Sequence, residues 1–144
     1  MARLTPNFTY EEMTVSSEGD RRAIPNTPNP AQLVILRNTA VLMEKVRTVL
    51  GAPIYVNSAF RSIAVNKLVG GVPQSAHTMG YGVDFTAKGL ECFDAATKIA
   101  ASNLSFDQLI LGPTWIHISF DPKRRRNLLT EMAPGGPYVQ GIKA

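Results

Sequence analysis

The chain contains only two histidines, His77 and His117, and Asp84 lies between them in a run with the alternation of a β-strand. In Gly82-Val83-Asp84-Phe85-Thr86 a period of two puts Val83 and Phe85 on one face and Asp84 on the other. In residues 115–120 the same period groups Ile116, Ile118 and Phe120, and sets Trp115, His117 and Ser119 on the opposite side. Two imidazoles and a carboxylate match the number and type of ligands in a catalytic zinc site, which keeps a fourth position for water. The same pattern also fits histidines that are only hydrogen-bonded structural residues, and spacing does not choose between the two. Serine chemistry fits poorly. Ser75 stands two residues before His77, but with both histidines on a metal no imidazole is left to activate its hydroxyl.

The elements that must position these groups can be read from caps and periodicity. Asn29 as N-cap and Pro30 in the first turn open a helix over about 30–50, where Leu33, Leu36, Ala40, Met43, Val46 and Leu50 recur at three and four residues before Gly51. Residues 1–29 read as a polar arm with one short helix, capped by Thr9 and Glu12 and limited by Pro25, Pro28 and Pro30. Residues 53–57 predict a strand, 62–69 a short helix closed by Gly70-Gly71, and 90–102 a helix. Runs 106–111 and 115–120, split by Gly112-Pro113-Thr114, predict a hairpin, and residues 133–144 a loop-like tail. The expected fold is α+β, one small domain over 1–144. A central antiparallel sheet, from strands near 54, 84, 108 and 117, packs against the helices at 30–50 and 90–102, with any metal site at its open face.

Composition removes other classes. At 144 residues, 44% hydrophobic and 18% charged, the chain has the make-up of an ordinary globular domain. No stretch reaches the ~18 apolar residues of a membrane span, and MARLTPNFTYEE lacks the apolar core of a signal peptide, so the expectation is synthesis in the cytoplasm without membrane insertion. The single cysteine, Cys92, excludes an internal disulfide and any zinc site of paired cysteines, and it reads as a small buried apolar residue. A net charge of +4 is too small to indicate nucleic acid. The one basic run, Lys123-Arg124-Arg125-Arg126, reads as a solvated turn, with phosphate binding as the alternative.

Ser75-Ala76-His77-Thr78-Met79-Gly80-Tyr81-Gly82-Val83-Asp84 resembles the S-x-H-x-x-G-x-x-x-D signature of the D-alanyl-D-alanine carboxypeptidase family of zinc peptidases. Asn7-Phe8-Thr9 with Glu11-Glu12, Asn26-Thr27-Pro28, Ser58-Ala59-Phe60-Arg61-Ser62, Asn66 with Val69-Gly70-Gly71, Phe106 to Ile110 and Trp115 to Phe120 resemble its small single-domain branch, in the same order. The resemblance implies a Hedgehog/D-Ala-D-Ala-peptidase-like fold with Zn²⁺ on His77, Asp84 and His117. It implies hydrolysis of peptidoglycan stem peptides, as a D-Ala-D-Ala carboxypeptidase, an L-Ala-D-Glu endopeptidase or a bacteriophage endolysin held in the host cytoplasm until lysis, with wall stem peptides as partners, no nucleic acid, and a monomeric state. In that reading Arg61 binds a substrate carboxylate or the developing oxyanion, with a structural ion pair as its alternative. Ser75 orders the loop or touches substrate, Gly80 permits close backbone approach, and Trp115 walls the cleft or fills the core.

One position departs from the pattern. Relatives place a glutamate shortly before the Trp-x-His strand as general base and acid, and Gly112 stands there in this chain. Such a base contributes typically about 10²–10⁴-fold, so its loss implies either a substitute, with Asp107, Glu91 and Asp121 as candidates, or a protein of the same fold that binds wall peptides without cutting them.

Overall fold

The computed structural model describes residues 2–144, which group into two compact units, one of residues up to 44 with 58–83, the other of 45–57 with 84–144. In the first unit, β1 (Arg3–Thr5) and β2 (Phe8–Thr9) pair antiparallel and lead into α1 (Tyr10–Thr14). The expected capping box is present: Glu12 N–H donates to Thr9 Oγ1 at 3.1 Å, and Thr9 N–H donates to Glu12 Oε1 at 2.7 Å. The arm holds more structure than predicted, since Ser16 caps a second short helix, α2 (Ser17–Arg21). Its five residues, one glycine and three charged among them, carry no apolar period by which sequence could find the helix.

The helix α3 (Pro30–Leu50) has the predicted bounds. Asn29 and Gln32 cap it reciprocally, each side chain bonding the other's backbone N–H at 2.8 Å. Its stripe Leu36, Ala40, Met43, Val46 and Leu50 is buried, as the period of three and four requires. Residues 62–69 form α4 (Ile63–Leu68), N-capped by Ser62, and Ala76–Thr78 form one 3₁₀ turn.

The second unit carries α5 (Cys92–Ala101) and most of a six-stranded sheet of β3 (Ile54–Ser58), β4 (Gly82–Ala87), β5 (Gln108–Leu111), β6 (Ile116–Ser119), β7 (Asn127–Glu131) and β8 (Tyr138–Gln140), in the order β3-β4-β6-β5-β7-β8. The α+β class and the β5–β6 hairpin hold, with Ile110 opposite His117 and Leu109 opposite Ile118. The sheet corrects the expectation of four antiparallel strands: it has six, and β5 and β7 run parallel. The residues taken for a loop-like tail include β8, which pairs antiparallel with β7.

The basic run explains the crossover to β7. Arg125 donates through Nε and Nη2 to Asp107 at 2.8 and 2.9 Å, and its backbone N–H donates to Asp107 Oδ1 at 3.0 Å. Arg126 donates to the carbonyls of Leu104 and Ser102 beyond α5, with its guanidinium 4.6 Å from the centre of the Phe106 ring. These two arginines tie the connection across the start of β5, and the backbone bonds Arg126 to Phe106 and Asn127 to Asp107 start the parallel ladder. Among the described residues, no helix is long and apolar enough to cross a membrane.

Candidate metal centre

His77 sits on the 3₁₀ turn after the glycine-punctuated loop, and the loop is secured by polar bonds at every step. Ser75 caps the turn, its Oγ accepting from His77 N–H at 3.2 Å. Buried Thr39 of α3 donates its hydroxyl to the Gly80 carbonyl at 2.6 Å, and Gln32 donates to the Thr78 carbonyl at 3.2 Å. Gly80 has φ +97, and a Cβ there would lie 3.2 Å from the Gln32 carbonyl oxygen, so glycine alone lets the turn approach the helix this closely. His77 itself is buried, and its Nδ1 donates to the Ala59 carbonyl at 2.6 Å. That bond fixes the tautomer in which Nε2 carries the lone pair, the usual arrangement behind a metal-ligating histidine.

The Ala59 carbonyl is held in turn. Asn26 donates to the carbonyls of Thr14 and Phe60 and accepts from Ser62 N–H at 2.7 Å, so the segment 59–62 is fixed on both sides of Arg61. The Arg61 N–H donates to the His77 carbonyl at 3.1 Å, and its guanidinium donates to Ser58 Oγ and Asn66 Oδ1. Asn66 is buried and donates to the Val72 carbonyl, lying so close to Gly71 that a Cβ there would fall 2.1 Å from Asn66 Oδ1. Ser58 and Asn66 thus help to orient the Arg61 head.

Asp84 on β4 and His117 on β6 point away from the buried Val83, Phe85, Ile116 and Ile118, as the alternation predicted. His117 Nδ1 stands 2.8 Å from Asp84 Oδ1, with both side chains 15% exposed. One ligand atom from each of His77, Asp84 and His117 lies within 4.8 Å of the other two. Donors bonded at about 2.0–2.2 Å in a tetrahedral site lie roughly 3.4 Å apart, so a small inward turn of these side chains would bring them onto one small divalent ion, and two nitrogens and one carboxylate are donors zinc accepts.

The expected general-base position is closed on one side. Gly112 N–H donates to the Trp115 carbonyl at 2.9 Å in the β5–β6 turn, and a Cβ at 112 would lie 3.0 Å from that carbonyl and 3.2 Å from the indole. The half-buried Trp115 ring therefore lies across Gly112. Of the candidate substitutes, Asp107 is committed to Arg125, which holds its carboxyl below the usual range, and Asp121 accepts from Lys123 N–H. Glu91 is the exposed N-cap of α5 and makes no capping bond with its side chain. Thr39 escaped the sequence reading; its signal is one hydroxyl between Leu36 and Met43 on the buried face of α3.

A mixed sheet that offers a histidine and an aspartate beside a loop histidine brings together donors that could hold a metal ion. The profile of the Peptidase M15 family matches residues 6–119, and the chain belongs to that family. It is 34% identical over 109 residues to the zinc D-Ala-D-Ala carboxypeptidase of Streptomyces albus G, an alignment covering 74% of this chain and 40% of the relative. The chain thus spans well under half the length of that curated relative.

Proposed function

We propose that the chain is a zinc-dependent peptidase that hydrolyses peptide bonds in the stem peptides of bacterial peptidoglycan, with His77, Asp84 and His117 as the metal ligands. The observation that carries the reading is the approach of these three donor groups within 4.8 Å, in a chain of the Peptidase M15 family. The name of the Streptomyces relative supports a D-Ala-D-Ala carboxypeptidase type of bond, and the endolysin reading rests on the motif resemblance alone. All three ligand residues come from one chain, so a monomer suffices for the chemistry.

Zinc bound there would supply a Lewis acid for the scissile carbonyl and lower the pKa of a bound water toward about 7. The protein's own residues do the rest. The Ala59 carbonyl holds the His77 ring by its Nδ1–H, and the 59–62 segment that presents this carbonyl also presents Arg61. Held by Ser58 and Asn66, the Arg61 fork is oriented in advance to bind a carboxylate of the substrate or the oxyanion of the transition state. Ser75 is occupied in ordering the turn, a loop role and not that of a nucleophile.

A second reading, that the domain binds wall peptides without cutting them, is favoured by Gly112 and by the Trp115 ring that lies across it. Mass spectrometry of purified peptidoglycan tests both. Incubation with zinc-loaded protein releases defined muropeptides, and a chelator-treated sample or the variant His77→Ala releases none. If folded protein holding one zinc releases nothing, wall binding becomes the leading function.

A further inference from the structure

β5 and β7 run parallel, with Ile110 beside Leu129 and Leu111 beside Thr130. One more step of that register sets Gly112 beside Glu131, on strands about 4.8 Å apart. The pleat then fixes the face. Ile110 pairs with His117 on β6 and with Leu129 on β7, and Glu131 is two residues beyond Leu129, so Glu131 projects from the face that carries His117 and its neighbour Asp84. Gly112, two residues beyond Ile110, leaves that face without a side chain. A cavity of about 510 Å³ at this end of the sheet is lined by Thr86, Gly112 and Glu131, and also by Leu111 and Thr130 of the opposite face and Cys92 of α5; Thr86 is two residues beyond Asp84 on β4.

On the outer strand, Tyr138 pairs with Glu131 and donates its hydroxyl to Glu131 Oε2 at 2.9 Å. The hydrogen bond to Glu131, burial, and the negative charges of Glu131 and Asp84 push the Tyr138 phenol above its usual pKa. Glu91 and Lys143 are the other charged side chains on the cavity wall. Glu131 and Tyr138 both lie beyond residue 119, outside the part of the chain the family profile covers.

We propose that Glu131 is the proton-transfer carboxylate that position 112 lacks, supplied from the neighbouring strand, with Tyr138 as its positioning residue. The inference rests on the peptidase reading above. As the water oxygen bonds to the scissile carbonyl carbon, one water proton passes to Glu131 Oε1. When the C–N bond breaks, Glu131 delivers that proton to the departing nitrogen and is again a carboxylate. The products are an amine and a carboxylic acid that keeps the second water hydrogen.

The test uses the full chain loaded with zinc. Glu131→Gln lowers stem-peptide hydrolysis by about 10²–10⁴-fold while zinc affinity and melting temperature stay within error of the parent. Tyr138→Phe removes a hydrogen bond that favours the carboxylate, so the acid limb of the pH–rate profile moves to higher pH. A readout independent of turnover is carboxyl-carbon NMR of Glu131, whose resonance shifts on zinc loading while that of exposed Glu11 is unmoved. Hydrolysis by Glu131→Gln within about threefold of the parent, or a Glu131 carboxyl resonance indifferent to zinc, overturns the inference and leaves the peptidase reading standing. A parent that holds zinc and cuts nothing also overturns it. In that case a gain of hydrolysis in Gly112→Glu shows that the metal site is competent, and no gain in a folded, zinc-bound Gly112→Glu removes the peptidase reading as well.

Discussion

Replacing Thr39 by valine removes one hydroxyl from the interior at nearly constant volume and tests how the His77 loop is held. Thr39 is 1% exposed and its Oγ1 lies 2.6 Å from the carbonyl of Gly80, itself buried. Valine leaves that carbonyl desolvated with its short bond gone, at a cost of about 1–3 kcal/mol. For a chain near 150 residues each kcal/mol lowers the melting temperature by roughly 2–4 °C, so the zinc-free variant melts several degrees below the parent. Zinc affinity falls less than the whole penalty would allow if it were confined to the loop, about tenfold for each 1.4 kcal/mol. The reason is that His77 keeps its own bonds to the Ala59 carbonyl and the Arg61 N–H. Differential scanning calorimetry and zinc competition against a chromogenic chelator measure the two effects, with Thr39→Ser as the control that restores the hydroxyl. A Thr39→Val protein that melts within 1 °C of the parent, a change of about 0.5 kcal/mol or less, would refute the claim that this hydroxyl secures the loop.

His117→Ala removes one of three donors and lowers zinc affinity by more than about 100-fold with little loss of fold, as isothermal titration and circular dichroism will show. Asp107 is held below the usual carboxylate range, chiefly by hydrogen bonds from Arg125. A depressed carboxyl contributes stability above its unfolded pKa, near 3.9, and loses it as pH falls through the folded value, so the acid side of the stability–pH curve flattens in Asp107→Asn. Gly112→Ala puts a methyl 3.2 Å from the indole of Trp115, the chain's single tryptophan, so emission shifts measurably and stability drops by about 1–3 kcal/mol. An unchanged emission spectrum would show that the ring does not lie across this residue.

Much of the site was legible because its determinants are local. Asp84 and His117 were assigned to the non-aliphatic faces of their strands by a period of two, and both assignments hold in β4 and β6. Asn29, Pro30 and the stripe from Leu36 to Leu50 fixed α3 through capping and helical period alone. The Lys123–Arg126 run was legible as charge and not as structure, since the partners of Arg125 and Arg126 are Asp107, Leu104 and Ser102, about twenty residues earlier. The parallel β7 was missed for the same reason: Asn127–Glu131 has no clean alternation, and its place beside β5 is set by those arginines.

The sequence by itself determined the residue types that can hold a metal, the faces on which Asp84 and His117 stand, the long helix, and the absence of a carboxylate at position 112. These are matters of side-chain chemistry and of short-range periodicity, which act along the chain. Tertiary structure alone decided that His77, Asp84 and His117 meet within 4.8 Å, that Thr39 and Asn26 secure the loop and its support, and that Glu131 arrives beside Gly112. The physical reason is that strand order and register are set by contacts between residues far apart in sequence, and a glutamate nineteen positions from a glycine becomes its neighbour only when two strands pair in parallel.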